Sequence, residues 1–374
     1  MANSLEIDRI RRRDFLKIAG VTAGGLVLAS CGQKPTLEAT SVATAAGKRI
    51  VYTELYGGMW AEHFTKNVFP KFTEKTGIEV VSVPGAGSKI ARIDLMIKTG
   101  KVDLDLVATD ASDVSKGKGL NLWEKIEVSR VPNLALCNPA FREKDDMSAP
   151  SSFYWMIMFL LTSKISETPD SWEAMWDPKY KGWVSILNDP GWSNILPITA
   201  STMGIKQEEL ANPDTLDKVW KKLDLLKDQI KRWYSGGADW QQAVAASEIW
   251  IGAAWNGRVY DSSKKGVPVK GVWPKEGGYL CVDHWVIPKG TPRKAEAEQL
   301  LDFLLTPEAN KSFTEDTGFG GSYQGLADLI TDEEARLGAY GPPGAIENAI
   351  KEDWSWYLPQ AKEIEERWAE WIAA

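Results

Sequence analysis

An alternation of strand-like and helix-like segments constrains the fold of this chain more than any other sequence feature. Residues 49–53, 78–83 and 104–108 are runs of apolar and β-branched residues that predict strands. Between them, residues 61–76 carry apolar residues at helical spacing and end at Gly77, which predicts a helix with a glycine cap. Strands that alternate with helices predict a parallel sheet with helices on both faces, and hence an α/β fold.

Three loops of this predicted sheet are candidates for a binding site. Ligands of open α/β sheets bind outside the carboxyl ends of the strands, where backbone N–H groups and helix N-termini are exposed. Here those loops span residues 54–59, 84–88 and 109–113. Residues 85–89 read Gly-Ala-Gly-Ser-Lys but lack the GxxxxGK[ST] spacing of a phosphate loop, so no nucleotide site is predicted.

The N-terminal segment has the features of an export signal. Residues 12–17 read Arg-Arg-Asp-Phe-Leu-Lys, and the uncharged run that follows, residues 18–28, is too short to span a bilayer as a stable helix. Small residues then precede Cys31, as in the lipobox of bacterial lipoproteins. We predict a twin-arginine lipoprotein signal peptide over residues 1–30 and a flexible tether over residues 31–47.

Cys31 is predicted to be the lipidated N-terminus, and a buried or free thiol is the alternative. Two or three acyl chains on one cysteine hold a protein stably on a membrane surface, whereas one chain does not. The predicted location is therefore the periplasm or the outer face of the cytoplasmic membrane, with the lipid anchor as the contact to the membrane.

Composition excludes several classes of function. The net charge of −7 and the absence of a basic stripe argue against a nucleic-acid partner. Cys137 and Cys281 are the only other cysteines, which excludes a disulfide scaffold but would allow one bridge. The two histidines, His63 and His284, occur without HExxH, GxSxG or zinc-ligand spacing, so neither an enzyme nor a metal or cofactor site is predicted. We expect His63 on the exposed face of the first helix and His284 packed near a crossover strand.

Several motifs in the second half of the chain resemble those of one protein family. Residues 254–258 read Ala-Trp-Asn-Gly-Arg, residues 272–278 read Val-Trp-Pro-Lys-Glu-Gly-Gly, and residues 287–290 read Ile-Pro-Lys-Gly. In order and spacing they resemble the solute-binding proteins of ABC importers, specifically the spermidine/putrescine-binding cluster. The resemblance covers essentially the whole chain after residue 47.

The resemblance implies a type II periplasmic-binding-protein fold, in which two α/β lobes joined by crossover strands hold a small-molecule solute in a cleft. It implies crossovers near residues 149–154 and 279–286 and closing helices near residues 347–357 and 359–372. Lobe 1 would comprise residues 48–152 and 286–330, and lobe 2 residues 153–285 and 331–374. The implied partner is an ABC permease with its ATPase.

Trp255 and Asp283 are the leading candidates for solute contacts. Trp255 follows a predicted strand over residues 249–254, where an indole can stack on a ligand or hold a cation, although a core role is the alternative. Asp283 lies in the second crossover, and the matching aspartate of the polyamine binders pairs with an ammonium. Ordering of the hinge by backbone hydrogen bonds is an equal alternative for Asp283.

The chain departs from the polyamine pattern where further carboxylates are expected. Residues 188–193 leave Asp189 alone there, while Asp110 adds a carboxylate elsewhere, so a small cation or a zwitterion suits the site better than a long polyamine. Glycine-rich turns could bind a carboxylate through backbone N–H groups, and Arg258 would strengthen that idea unless it forms a surface pair. The predicted ligand-binding residues are Thr53, Glu54, Tyr56, Gly58, Asp110, Trp192, Ser235, Trp255, Asp283 and Phe319.

These observations favour a lipid-anchored receptor of an ABC importer that captures a small amine-containing or zwitterionic solute. A lipoprotein that presents its ligand to a sensor would use the same cleft and is the first alternative. A secreted enzyme is the second alternative, and the histidine content disfavours it.

Overall fold

Residues 48–85 and 89–373 are described by a computed structural model of the protein. The predicted signal peptide, Cys31 and tether lie outside these residues, as does most of the glycine-rich loop after the second strand. The strands are β1 (Ile50–Glu54), β2 (Glu79–Val83), β3 (Leu106–Asp110), β4 (Ala149–Leu161), β5 (Val184–Leu187), β6 (Ile230–Tyr234), β7 (Ile251–Trp255), β8 (Val269–Val272), β9 (Tyr279–Val286), β10 (Gly320–Gly321) and β11 (Ile350–Lys351).

The helices of the described residues follow the strands in the expected alternation. They are α1 (Met59–His63), α2 (Phe69–Thr76), α3 (Lys89–Lys98), α4 (Ala111–Gly119), α5 (Ile195–Thr202), α6 (Pro213–Lys227), α7 (Gly237–Ala245), α8 (Asn256–Lys264), α9 (Lys294–Leu304), α10 (Pro307–Thr317), α11 (Leu326–Leu329), α12 (Glu333–Tyr340) and α13 (Ala361–Ala373). A π-helical turn, Phe64–Val68, joins α1 to α2. No helix in this part of the chain is both long and apolar enough to cross a membrane.

The strands form one mixed sheet in the order β2-β1-β3-β9-β4-β7-β5-β6, with β8 and β10 paired to β4 and β11 paired to β9. β1, β2 and β3 are parallel, and so are β5, β6 and β7. β9 and β4 join these two parallel groups through antiparallel pairs. The parallel arrangement predicted from the first three strands is therefore confirmed, and the antiparallel centre of the sheet is occupied by the two predicted crossover segments.

Two large apolar cores flank this centre. One is built around β1, β3 and β9 with α2, α9 and α10, and includes Phe72 and Trp285. The other is built around β4, β5 and β7 with α5, α6 and α13, and includes Trp220, Trp368 and Trp371. Trp368 and Trp371 pack against each other at 5.2 Å between ring centroids, as their shared helical face predicts.

Several local predictions are confirmed. The helix predicted over residues 61–76 corresponds to α1, the π-helical turn and α2. It ends at Gly77, whose φ of 70° is the left-handed conformation that glycine adopts most readily. The second crossover matches β9, and the last closing helix matches α13. His284 is buried near the crossover, with its Nδ1 3.2 Å from Ser148 Oγ.

Other local predictions are wrong because tertiary contacts override the local pattern. Residues 347–357 are not a helix, since Ile350 and Lys351 pair with β9 instead. His63 is buried rather than exposed, and its Nδ1 lies 2.7 Å from Asp316 Oδ2 on α10. The bridge that the composition would allow, but that was not predicted, does not form, because Cys137 and Cys281 are both free and buried.

Candidate functional site

A cavity of about 240 Å³ is lined by residues from both parallel groups of strands and from the antiparallel strands between them. Aromatic rings form much of its wall, and three charged side chains reach it. The lining residues are Tyr56, Gly57, Trp60, Asp110, Tyr154, Trp192, Gly237, Trp255, Arg258, Asp283 and Phe319. A concave, mostly apolar cavity with a few converging polar groups is typical of a site for a small organic molecule.

Two carboxylates meet at one wall of the cavity. Asp110 ends β3 and Asp283 lies in β9, and the antiparallel register places the two residues directly opposite each other. Both side chains are buried, with exposed fractions of 5% and 6%. Within the described part of the chain, neither forms an ion pair with a lysine or arginine, so this wall carries uncompensated negative charge that suits a cationic group.

Different hydrogen bonds distinguish the two carboxylates. Asp110 Oδ1 accepts bonds from Ser112 Oγ at 2.6 Å and from the Asp113 backbone N at 2.9 Å, as the cap of α4. Asp283 accepts a bond of 3.0 Å from the Tyr56 hydroxyl and a longer one of 3.4 Å from Ser152 Oγ. Burial, and then the negative charge of Asp110, raise the pKa of Asp283 to about 7.

Arg258 supplies positive charge on another side of the same cavity. Its Nε is buried without a hydrogen-bond partner among the described residues, and its Nη1 donates a weak bond of 3.4 Å to Gln241 Oε1. Burial lowers the pKa of Arg258, although a guanidinium keeps its charge under all ordinary conditions. A planar cation with an unused donor fits a carboxylate group.

The backbone around Arg258 explains how the guanidinium reaches the cavity. Arg258 lies in the first turn of α8, which follows Trp255 at the end of β7. Asn256 holds this helix start, because its Oδ1 accepts a bond from the Trp155 backbone N and its Nδ2 donates to the Gly318 and Gly338 carbonyls. Gly237, the first residue of α7, leaves space for the guanidinium, since a Cβ there would lie 2.3 Å from Arg258 Nε.

Aromatic side chains shape the remaining wall. Trp255 lies at the carboxyl end of β7 and faces the cavity, with its ring 6.3 Å from that of Tyr234. Trp192 lines the mouth and is 46% exposed. Phe319 packs on Gly257, where a Cβ would lie 2.5 Å from the ring. These planar surfaces can stack on a ligand or contact its apolar part.

Six of the ten predicted ligand-binding residues line the cavity, namely Tyr56, Asp110, Trp192, Trp255, Asp283 and Phe319. Their contact with a solute stays a prediction. The other four lie outside the cavity wall. Thr53 is fully buried in β1, and Glu54 forms an ion pair with Arg92. Ser235 donates backbone and hydroxyl bonds to Asp239, whereas Gly58, with a φ of 68°, lies against the Arg258 guanidinium.

Sequence reasoning missed part of the wall. Trp60 and Tyr154 line the cavity, although nothing in their local pattern distinguishes them from core aromatics. Asp189, predicted near the mouth, instead accepts bonds from the backbone N atoms of Gly191 and Trp192 and thereby shapes the loop that carries Trp192. The motif at residues 254–258 was the one sequence feature that indicated Arg258 as a cavity residue.

The fold and the cavity are those of a binding protein that encloses a small solute, and the fold is the type II periplasmic-binding-protein fold that the sequence predicted. Residues 67–339 match the family of bacterial extracellular solute-binding proteins, and the chain belongs to that family. Binding proteins of this family deliver small-molecule solutes to ABC permeases and are not enzymes. The predicted class of protein is therefore confirmed.

Individual relatives extend over most of the chain. The gamma-aminobutyric acid-binding protein of Pseudomonas aeruginosa is 29% identical over 327 residues, covering 85% of this chain and 89% of its own. The spermidine/putrescine-binding periplasmic protein of Escherichia coli is 25% identical over 290 residues, covering 75% and 81%. The solved structure of the Atu4243-GABA receptor superposes with a TM-score of 0.74 at 26% identity, covering 87% of this chain and 97% of its own.

Proposed function

We propose that the protein is a lipid-anchored receptor of an ABC importer, and that it captures a small zwitterion with an amine at one end and a carboxylate at the other. One observation carries the proposal about the solute: among the described residues, a cavity of about 240 Å³ presents two carboxylates without ion-pair partners and a guanidinium whose buried Nε has no hydrogen-bond partner. An ammonium group would be held by Asp110 and Asp283, and a carboxylate by Arg258.

The charge pattern favours a zwitterion over a diamine. A second ammonium would have to lie near Arg258, where like charges repel and the buried guanidinium donor stays unused. The name of one relative agrees with this preference, since it is a gamma-aminobutyric acid-binding protein, whereas other relatives are named for polyamines. The aromatic wall would contact the carbon chain between the two charged groups.

We further propose that the chain closes around the solute by movement of two lobes, residues 48–152 with 286–330 and residues 153–285 with 331–374. The composition of the two apolar cores supports this division. Apart from Trp285, every buried residue of the first core comes from the first pair of segments, and every buried residue of the second core comes from the other pair. β4 and β9 would then contain the hinge.

A panel of four-carbon compounds tests the proposed solute class. Thermal shift and titration calorimetry of the full mature protein are measured with 4-aminobutyrate, putrescine and butyrate, which differ only in their end groups. We expect 4-aminobutyrate to bind most tightly and Arg258→Gln to remove that advantage over putrescine. Saturation at about 100 times Kd would stabilise the protein by about 2.7 kcal/mol. Binding of butyrate or putrescine in preference to 4-aminobutyrate would contradict the proposal.

A further inference from the structure

The cavity wall holds two buried carboxylates of like charge next to each other. Asp110 and Asp283 face each other across the β3–β9 pair and are both buried, so their like charges repel in a poorly solvated site. Their hydrogen bonds are unequal. Asp110 accepts two bonds of 2.6 and 2.9 Å as the cap of α4. Asp283 accepts longer bonds of 3.0 and 3.4 Å, and burial followed by the charge of Asp110 raises its pKa.

The groups around Asp283 do little to offset this repulsion. Titratable and charged side chains face it from every neighbouring element: Tyr56 after β1, Lys89 of α3, Asp110 of β3, Tyr154 of β4, Cys281 of β9 and Glu352 after β11. Lys89 is the one cation in this set, and its Nζ donates to the Ala108 carbonyl at 2.5 Å and lies 4.9 Å above the ring of Tyr56. No ion pair joins Lys89 to Asp283, although the positive charge of Lys89 partly offsets the rise in the pKa of Asp283.

We propose that solute capture is coupled to proton release: the empty site holds a proton on Asp283, and the ammonium of an incoming solute displaces that proton into water. The inference rests on the proposed function, because it requires a solute with a positive charge. The balance is one ammonium bound and up to one proton released, so the Asp110–Asp283 wall changes its net charge little on binding.

Acidification should therefore weaken solute binding, because the ammonium must then displace a proton from a larger fraction of the Asp283 carboxyls. Burial and the charge of Asp110 raise the pKa of Asp283 to about 7, which places the exchange near neutral pH. We expect roughly half a proton released per solute near pH 7 and a Kd that rises about tenfold for each pH unit below about 6. Affinity would change little above about pH 8.

The test is titration calorimetry with 4-aminobutyrate near pH 7 in two buffers of different ionisation enthalpy, repeated at several pH values. Wild-type protein should show a buffer-dependent enthalpy. Asp110→Asn should weaken binding, because one of the two carboxylates is lost, and should shift the midpoint of the Kd profile to lower pH, because the repelling charge is removed. Glu352→Gln is the matched control, since it removes a half-buried acid outside the cavity wall, and it should retain the proton release. Asp283→Asn should abolish it.

A second measurement uses the empty protein and needs no solute. Wild-type stability should fall between about pH 4 and pH 7 relative to Asp283→Asn, because the unfolded chain releases the Asp283 proton while the folded chain keeps it. Equal enthalpies in both buffers with a flat Kd profile, or parallel stability curves for the two proteins, would overturn the inference. If no charged amine binds at any pH, the proposed function itself is refuted.

Discussion

At the residue scale, the chemistry of the cavity comes from a few charged side chains that have no ion-pair partner in the described part of the chain. Asp283 and Arg258 lie on different sides of the cavity, and each has hydrogen-bonding capacity that the described residues leave unused. Removing such groups from water costs free energy unless a ligand compensates them. Aromatic residues of the same cavity wall would exclude water and so strengthen both charge interactions with the proposed solute.

Trp255→Ala tests the aromatic wall. The substitution removes a stacking surface beside the ligand, so we expect affinity for the identified solute to fall by about 1 to 3 kcal/mol, or about tenfold or more. Trp371→Phe is the control, because Trp371 is buried in the second core and lies outside the cavity wall. It should change the melting temperature and leave the Kd nearly unchanged. Wild-type affinity in the Trp255→Ala protein would show that the site is assigned wrongly.

Glu352 gives a prediction about stability and pH. Its carboxylate accepts bonds from the Val282 backbone N at 3.1 Å and Trp354 Nε1 at 2.7 Å, yet burial raises its pKa from 4.5 to about 8. Below pH 4.5 the carboxyl is neutral in both the folded and the unfolded state. Between about pH 4.5 and 8 the unfolded state loses this proton while the folded state keeps it, so this group lowers stability as pH rises.

Chemical denaturation of wild-type protein and Glu352→Gln at several pH values measures this effect. We expect the free energy of unfolding of Glu352→Gln to improve relative to wild type by about 1 kcal/mol or more between about pH 5 and pH 8. A difference that stays constant with pH would show that Glu352 titrates normally in the folded state.

At the scale of elements, the starts of α7 and α8 control the position of Arg258. α8 carries the guanidinium in its first turn, and Gly237 at the start of α7 leaves room beside it. In the proposed complex, these two helices together would form the side of the cavity that binds the solute carboxylate. Asn256 supports this side through bonds to three neighbouring backbone groups.

Gly237→Ala should displace the guanidinium, because the new Cβ would lie 2.3 Å from Arg258 Nε and 2.8 Å from Arg258 Cζ. We expect affinity for 4-aminobutyrate to fall about tenfold, while binding of an amine without a carboxylate changes much less. Gly236→Ala is the matched control. Gly236 has an extended φ of 170°, and no atom lies within 4 Å of its added Cβ, so calorimetry should give a wild-type Kd. Equal losses in both variants would argue against steric control by Gly237.

At the scale of the whole molecule, the proposed anchor and the proposed lobes would work together. A receptor that is tethered to the membrane stays close to its permease, which raises its effective concentration there. Closure of the lobes would follow from contacts that the solute makes with both walls only when they are near each other.

Cys31→Ser tests the anchor. We expect this variant to move from the membrane fraction to the soluble fraction, because the acyl chains can no longer be attached. Replacing both Arg12 and Arg13 by lysine should block export, since the twin-arginine signal is then lost. Cell fractionation and the intact mass of the wild-type protein measure the two outcomes. An unlipidated wild-type mass that begins before residue 31 would contradict the prediction.

Sequence periodicity predicted most of the helices and strands, because the spacing of apolar residues differs between a helix and a strand. The helix that ends at Gly77 and the strand β9 are examples. The pattern failed where distant partners compete with local preference. Residues 347–357 contain helix-compatible spacing, but Ile350 and Lys351 gain strand pairing with β9, and His63 gains a bond to Asp316 that is 253 positions away.

The sequence by itself determined the class of protein, because its motifs and strand order suffice to specify the family and its fold. It also indicated Trp255 and Asp283, which lie at a strand end and in a crossover. Only the tertiary structure decided which charges meet. The opposition of Asp110 and Asp283 depends on the register between β3 and β9, and the access of Arg258 to the cavity depends on a glycine in another helix. Such distances between remote segments arise from packing, which local sequence patterns do not encode.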